Sequence, residues 1–250
     1  MASHRTQQVA PSVERLGDAM VNFYLVDHPD GRVLVDAGLP GHLRQLQERL
    51  AIGDIRAVLL THGHSDHTGV AAATKQAGAD IWIHEADAPI LADGPRSALR
   101  HAKPERSFLL YLLRRPAALA GPLHMARMGA FTGKPVLGAR TFRGDQRLDD
   151  VPGRPQVIEL PGHTRGSVAY HFPDLGVLFT GDALVTRDDL TGHTGPTLVN
   201  RGFTHNSTAA LASLDRLAQL PATRLLPGHG DPFPGDPQTA AAQARQAGLH

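Results

Sequence analysis

Thr61-His62-Gly63-His64-Ser65-Asp66-His67 follows directly on the apolar segment Ala57-Val58-Leu59-Leu60. Three imidazoles and a carboxylate fall within seven residues, where a predicted strand gives way to a loop. Imidazole nitrogen and carboxylate oxygen both suit zinc and other borderline divalent ions, and a strand end holds a loop so that several side chains converge. In an extended stretch His62 and His64 point to the same side, and a tight turn at Ser65 lets Asp66 and His67 face a second ion. A lone histidine is ordinarily a satisfied polar residue. Three with an aspartate in one turn read as a metal site.

The 250-residue chain is long enough to bury a full core. It contains no cysteine, which excludes disulfides, thiolate ligands, iron–sulfur clusters and a cysteine nucleophile. Every metal ligand must then be His, Asp or Glu. The start Met1 to Gln8 has no apolar leader-like run, and no stretch approaches the roughly 18 apolar residues of a membrane span; a cytoplasmic protein is expected. The net charge of +1 hides an asymmetry, since Arg96 to Arg147 holds eleven Lys or Arg against Glu105 and Asp145. That segment is either a solvated basic face or a surface for an anionic substrate or partner.

Strands are predicted over Met20–Val26, Arg32–Val35, Ala57–Leu60, Asp80–His84, Gln156–Leu160, Val168–Phe172, Val177–Thr180 and Thr223–Leu226, where β-branched and aromatic residues cluster between turn formers. Amphipathic helices fit Gly41–Leu50, Thr68–Ala77 and Thr208–Leu220. Between about residues 89 and 147, helical pieces (Arg106–Arg115, Pro122–Met128) are broken by prolines, which predicts an insertion or lid outside the sheet. No interdomain linker is evident, so a single domain over residues 1–250 is expected.

Three later segments repeat one arrangement, an apolar strand ending in a glycine and a ligand-capable residue: Leu160-Pro161-Gly162-His163-Thr164, Leu178-Phe179-Thr180-Gly181-Asp182 and Leu225-Leu226-Pro227-Gly228-His229-Gly230. Glycine lets the backbone turn tightly and approach a neighbouring atom. With an entry at Val21 to Val26 and Leu34-Val35-Asp36-Ala37-Gly38, these motifs in this order resemble the metallo-β-lactamase superfamily over nearly the whole length. The resemblance implies an α/β fold, a four-layer αββα sandwich with the site at one edge of its paired sheets and a variable helical insertion.

Carried over by position, the resemblance implies that His62, His64 and His163 hold one divalent ion, that Asp66, His67 and His229 hold a second, and that Asp182 bridges them. Zinc is the favoured ion, and manganese or iron accept the same donors. Asp36 falls where a carboxylate would orient a ligand imidazole. Two ions sharing a water bring its pKa from 15.7 to about neutral, which fits hydrolysis of an activated carbonyl, with Asp66 holding the hydroxide and passing its proton to the leaving group. The bridging Asp182 and Pro161 to Ser167 resemble the glyoxalase-II-like thioesterase and lactonase branch more than true β-lactamases. Alternatives from other classes are a mononuclear-iron sulfur dioxygenase using the positions of His62, His163 and Asp182, a phosphodiesterase or nuclease, and a metal-bearing sensor. The basic segment lacks the interleaved aromatics of a nucleic-acid surface.

Phe108-Leu109-Leu110-Tyr111-Leu112-Leu113 followed by Arg114-Arg115 offers the one substrate clue. The leucines either pack the insertion on the core or line a pocket for an acyl chain carried on an anionic group such as coenzyme A or an acidic carrier protein. Arg114, Arg115, His193 and His205 are candidate substrate contacts.

Overall fold

Tyr24 and Val26 face one side of their strand, Phe23 and Leu25 the other, and all four are buried. Side chains alternate along a strand, so a strand apolar on both faces must be covered on both. In the computed structural model, which describes residues 5–250, that strand is third in a seven-stranded sheet. Residues 1–4, part of the start read above for a leader, lie outside the described residues. The sheet runs in chain order through β1 (Gln7–Ala10), β2 (Val13–Gly17), β3 (Asn22–His28), β4 (Gly31–Val35), β5 (Ile55–Leu59), β6 (Asp80–His84) and β7 (Arg140–Phe142). The first four strands are antiparallel neighbours; from β4 onwards the pairing is parallel. Parallel pairing requires crossovers, which α1 (Leu43–Arg49) and α2 (Ala71–Gln76) supply.

A second sheet starts with β8 (Gln146–Arg147), β9 (Gln156–Glu159), β10 (Val168–Phe172) and β11 (Val177–Gly181). After a two-stranded ribbon, β12 (Val185–Asp188) and β13 (His193–Thr197), it is completed by β14 (Arg224–Pro227), parallel to β11, for an order β14-β11-β10-β9-β8. The insertion carries α3 (Ala88–Asp93), α4 (Ala98–His101), α5 (Leu109–Arg114) and α6 (Ala120–Arg127); α7 (Ser207–Leu217) and α8 (Pro237–Ala247) come last. No helix among the described residues is long and apolar enough to cross a membrane.

Three buried clusters define the layers. Tyr24, Val26, Val35 and Leu59 meet Tyr170, Phe172, Phe179 and Leu226 between the sheets. Leu34, Val58 and Ile81 meet Leu46 and Ala71 under α1 and α2. Leu178 and Leu225 meet Leu214, Leu217, Ala241 and Ala244 under α7 and α8. This is the αββα sandwich expected from the sequence. At one end the two sheets are also tied by hydrogen bonds: Val168 N to Thr61 O (2.9 Å), Tyr170 Oη to Leu60 O (2.9 Å), Asn22 N to Gly228 O (2.8 Å) and Tyr24 Oη to Pro227 O (2.7 Å).

All eight predicted strands are present, with ends moved by up to two residues. The reading of residues 89–147 as wholly outside the sheets fails at its far end. Arg140–Phe142 pairs with β6 and Gln146–Arg147 with β9, so the chain has rejoined both sheets before residue 147. The leucines of α5 do not pack on the core either: no residue of α5 is buried, and Leu113 is 81% exposed. The insertion is seated instead by Met125, Met128 and Ala130 against Met20, Val21 and Leu39.

Candidate metal centre

Each ligand-bearing segment leaves the end of a strand: residues 61–67 follow β5, His163 follows β9, Asp182 follows β11 and His229 follows β14. The first segment is shaped by Asp36, at the end of β4, whose backbone is left-handed (φ 59°). That conformation is unfavourable for a residue with a Cβ and persists where surrounding contacts hold it. Here they do. Asp36 Oδ1 accepts from the amide and hydroxyl of Thr61 (2.8 and 3.0 Å), and Oδ2 lies 2.9 Å from His67 Nδ1. The loop then closes with His67 N donating to His64 O (3.0 Å).

All seven sequence-predicted ligands converge. His64 Nδ1 and His163 Nε2 are 2.8 Å apart, and His67 Nε2 and His229 Nε2 are 3.4 Å apart. Asp182 stands between them, its oxygens 3.4 Å from His163 Nε2, 4.0 Å from His62 Nε2, 3.5 Å from His67 Nε2 and 3.2 Å from His229 Nε2. Asp66 Oδ2 lies 3.6 Å from His67 Nε2 and 3.4 Å from His229 Nε2. Three overlapping sets have ligand atoms within 4.8 Å of one another: His62, His64 and His163; His62, His67 and Asp182; Asp66, His67 and His229.

Buried polar atoms are almost always paired, yet His62 Nε2, His163 Nδ1 and Asp182 Oδ1 are buried without a hydrogen-bond partner. His62 and Asp182 belong to these sets, and a cation among nitrogen and carboxylate donors would satisfy their orphaned atoms. Burial drives His62 and His163 well below the usual histidine range, and neighbouring imidazoles add to it, so both offer neutral lone pairs. Burial acts the same way on His67 and His229, but the Asp182 and Asp66 carboxylates outweigh it. His67 is raised to about 9, and His229 well above its ordinary value. Protons there compete with a cation for the same nitrogens.

The chain passes close behind this cluster at Gly228, where a Cβ would overlap Asp182 Oδ1 and His67 Cε1. Gly228→Ala is therefore expected to push both side chains off their positions and lower metal affinity by roughly 10- to 100-fold. Metal content after dialysis against a chelator series would measure this.

Two supporting carboxylates carried no signal in the sequence. Asp87 is buried, accepts from Gly63 N (2.9 Å), Gly166 N (2.9 Å) and Thr164 Oγ1 (2.6 Å), and so ties the His62–His64 loop to the His163 loop. Asp18 accepts from Met20 N (2.8 Å) and Val21 N (3.0 Å), while the Met20 carbonyl faces His229 Nδ1 at 2.6 Å. Burial raises the Asp18 carboxyl, but hydrogen bonds from His42 and these amides overcome it and hold it well below the usual carboxylate range. A depressed carboxylate stabilises the fold above its unfolded-state pKa, near 3.9, and that contribution is lost as pH falls through the folded-state value. Asp18→Asn is thus expected to lose less stability than wild type as pH falls from about 5 to about 2, as read from denaturant midpoints.

The suggested substrate contacts are not gathered in the same way. His205 donates its amide to His163 O (3.0 Å), but its ring meets Arg165 and Lys103 O. His193 stacks on His250 (5.5 Å between centroids), Arg115 donates to Asp189 O (2.7 Å), and Arg114 is exposed.

The family model described as the metallo-beta-lactamase superfamily matches residues 16–229, a span that includes all seven of these histidines and aspartates. The chain belongs to the metallo-β-lactamase superfamily. Among superfamily relatives, the probable metallo-hydrolase YflN of Bacillus subtilis is 26% identical over 91% of this chain and 87% of its own. The hydroxyacylglutathione hydrolase of Shewanella baltica is 30% identical over 82% of this chain and 56% of its own. A solved structure, TTHA1623 in a di-iron-bound form, aligns with a TM-score of 0.61 at 30% identity, over 92% of this chain and 96% of that one.

Proposed function

We propose that this chain is a metal-dependent hydrolase that opens an activated carbonyl, a thioester, lactone or ester, at a centre for two divalent ions. The observation that carries the two-ion reading is the division of the ligands into a His62, His64, His163 group and an Asp66, His67, His229 group, with Asp182 within 3.2–4.0 Å of nitrogens from both. Zinc is the favoured occupant on donor type; the di-iron form of TTHA1623 supports the count and keeps iron as the rival. Ions held there would supply Lewis acidity and bring a coordinated water to a pKa of about 7.

The chain's own residues supply the rest. Asp66 would hold the attacking water by accepting its hydrogen, and would deliver that proton to the leaving oxygen, sulfur or nitrogen. Asp36 and the Met20 carbonyl each take the Nδ1 hydrogen of a ligand imidazole, His67 and His229, which leaves Nε2 turned to the cluster. The names of the Bacillus and Shewanella relatives support hydrolysis. An anionic acyl carrier as substrate is supported by Arg96, Lys103, Arg106, Arg114 and Arg127, exposed cations of the insertion.

Metal analysis followed by a panel of thioesters, lactones, phosphodiesters and β-lactams tests the reading. Two ions per chain and turnover of a thioester or lactone are expected. A single iron with oxygen uptake on a persulfide would replace hydrolysis by dioxygenation, and inactivity across the panel with both ions bound would point to a sensor.

A further inference from the structure

The seat of the insertion and the second ligand group meet at one carboxylate. Asp18 is 1% exposed, and its Oδ2 lies 3.0 Å from His42 Nε2 and 2.7 Å from His124 Nε2. Its Oδ1 accepts from the amides of Met20 and Val21, which fixes the turn over residues 18–21. The carbonyl of that turn's Met20 accepts from His229 Nδ1. The proton positions follow from the partners. His42 Nδ1 accepts from Leu39 N (3.0 Å), so its Nε2 carries the hydrogen given to Asp18. His229 gives its Nδ1 hydrogen to Met20, so its Nε2 faces Asp66 and Asp182, at 3.4 and 3.2 Å.

His42 and the two amides belong to the sandwich. His124 comes from α6, no residue of which is buried. Its bond to Asp18 therefore joins the insertion to the turn that aims His229, beside a packing contact in which Met125 and Met128 lie against Met20, Val21 and Leu39.

We propose that His124 and Asp18 are positioning residues for the Asp66, His67, His229 group, so that the docking of α6 sets how tightly that group holds its cation. This rests on reading the group as one of two metal half-sites. With His124 removed, Asp18 keeps one imidazole donor instead of two, and its carboxylate is free to swing towards His42. The turn then shifts, the Met20 carbonyl moves with it, and His229 loses the fixed acceptor that orients its ring. The His62, His64, His163 group has no bond to this turn and is untouched.

The test is titration of the metal-stripped full chain with Zn2+ in competition with a chromophoric chelator, which needs no substrate. His124→Ala should weaken one of two ions about tenfold and leave the other as in wild type. His124→Gln, whose side-chain amide reaches as far as the lost Nε2–H, should restore it. The His124 side chain is 20% exposed on an otherwise unburied helix, so the fold should survive, and the unfolding midpoint checks that. Wild type binding fewer than two ions would defeat the half-site reading itself. Wild type binding two, with both affinities unchanged in His124→Ala, would overturn the positioning role. Equal weakening of both ions that glutamine does not restore would overturn it too.

Discussion

Asp66→Ala is expected to lower turnover by about 10³-fold, within the range that a positioned general acid–base group contributes, and to reduce metal content from two ions to one. Both effects follow from one placement. Asp66 is buried, and its Oδ2 lies 3.4 Å from His229 Nε2 and 3.6 Å from His67 Nε2. Asp66→Asn separates the roles. It keeps an oxygen donor for the cation but gives up the carboxylate that takes a proton, so it should retain more metal than alanine while turnover stays low. Normal rates in the alanine variant would exclude the proposed mechanism.

Asp87→Ala should cost about 4 kcal/mol of folding stability, because two buried amides and a hydroxyl lose their acceptor together and each unsatisfied group costs roughly 1–3 kcal/mol. The urea midpoint should fall with an unchanged slope, as expected when stability changes and compactness does not. Asp87→Asn keeps the side-chain volume and one acceptor oxygen, and about half the loss is expected. Because the carboxylate ties the Gly63 and Gly166 backbones, the alanine variant should also bind metal more weakly than its residual folded fraction explains.

Asp87 shows why part of the centre was hidden in the sequence. It precedes Ala88 and Pro89, where an aspartate reads as a helix cap, and it does occupy the cap position of α3 without making the capping bond. Its carboxylate turns instead to two loops, one 24 and one about 79 residues distant in sequence. Asp18 is similar, a polar residue in Leu16-Gly17-Asp18-Ala19-Met20 whose partners His42 and His124 are remote, as is His229, which it reaches only through the Met20 carbonyl. The seven residues that converge stood out in the sequence because each lies in a short loop just after an apolar strand, four of them (His64, His163, Asp182 and His229) directly after a glycine. The residues that aim them depend on tertiary contacts and have no local pattern.

The fold was legible to the same degree and for the same reason. Strands buried on both faces carry long apolar runs, and all eight of those were found. The missed strands are polar or short: β2 contains Glu14 and Arg15, and β13 reads His193-Thr194-Gly195-Pro196-Thr197. Arg15 is buried nonetheless, through Asn22 (2.8 Å) and Asp231 (2.9 Å), a pairing that hydrophobic periodicity does not register. β7 and β8 span three and two residues, too few for any pattern, which is why the insertion seemed to run to residue 147.

The hydrogen bonds that stitch the two sheets together at Thr61–Val168 and Asn22–Gly228 have a consequence for time as well as for shape. The amide hydrogens of Val168 and Asn22 can exchange with deuterium only when the sheets part, so they belong to the slowest class, released by global unfolding. The loops carrying His62, His163 and His229 leave the strands beside these seams, so their spacing is expected to outlast local fluctuations. The amides of α5 and α6, whose residues are unburied, should exchange orders of magnitude sooner.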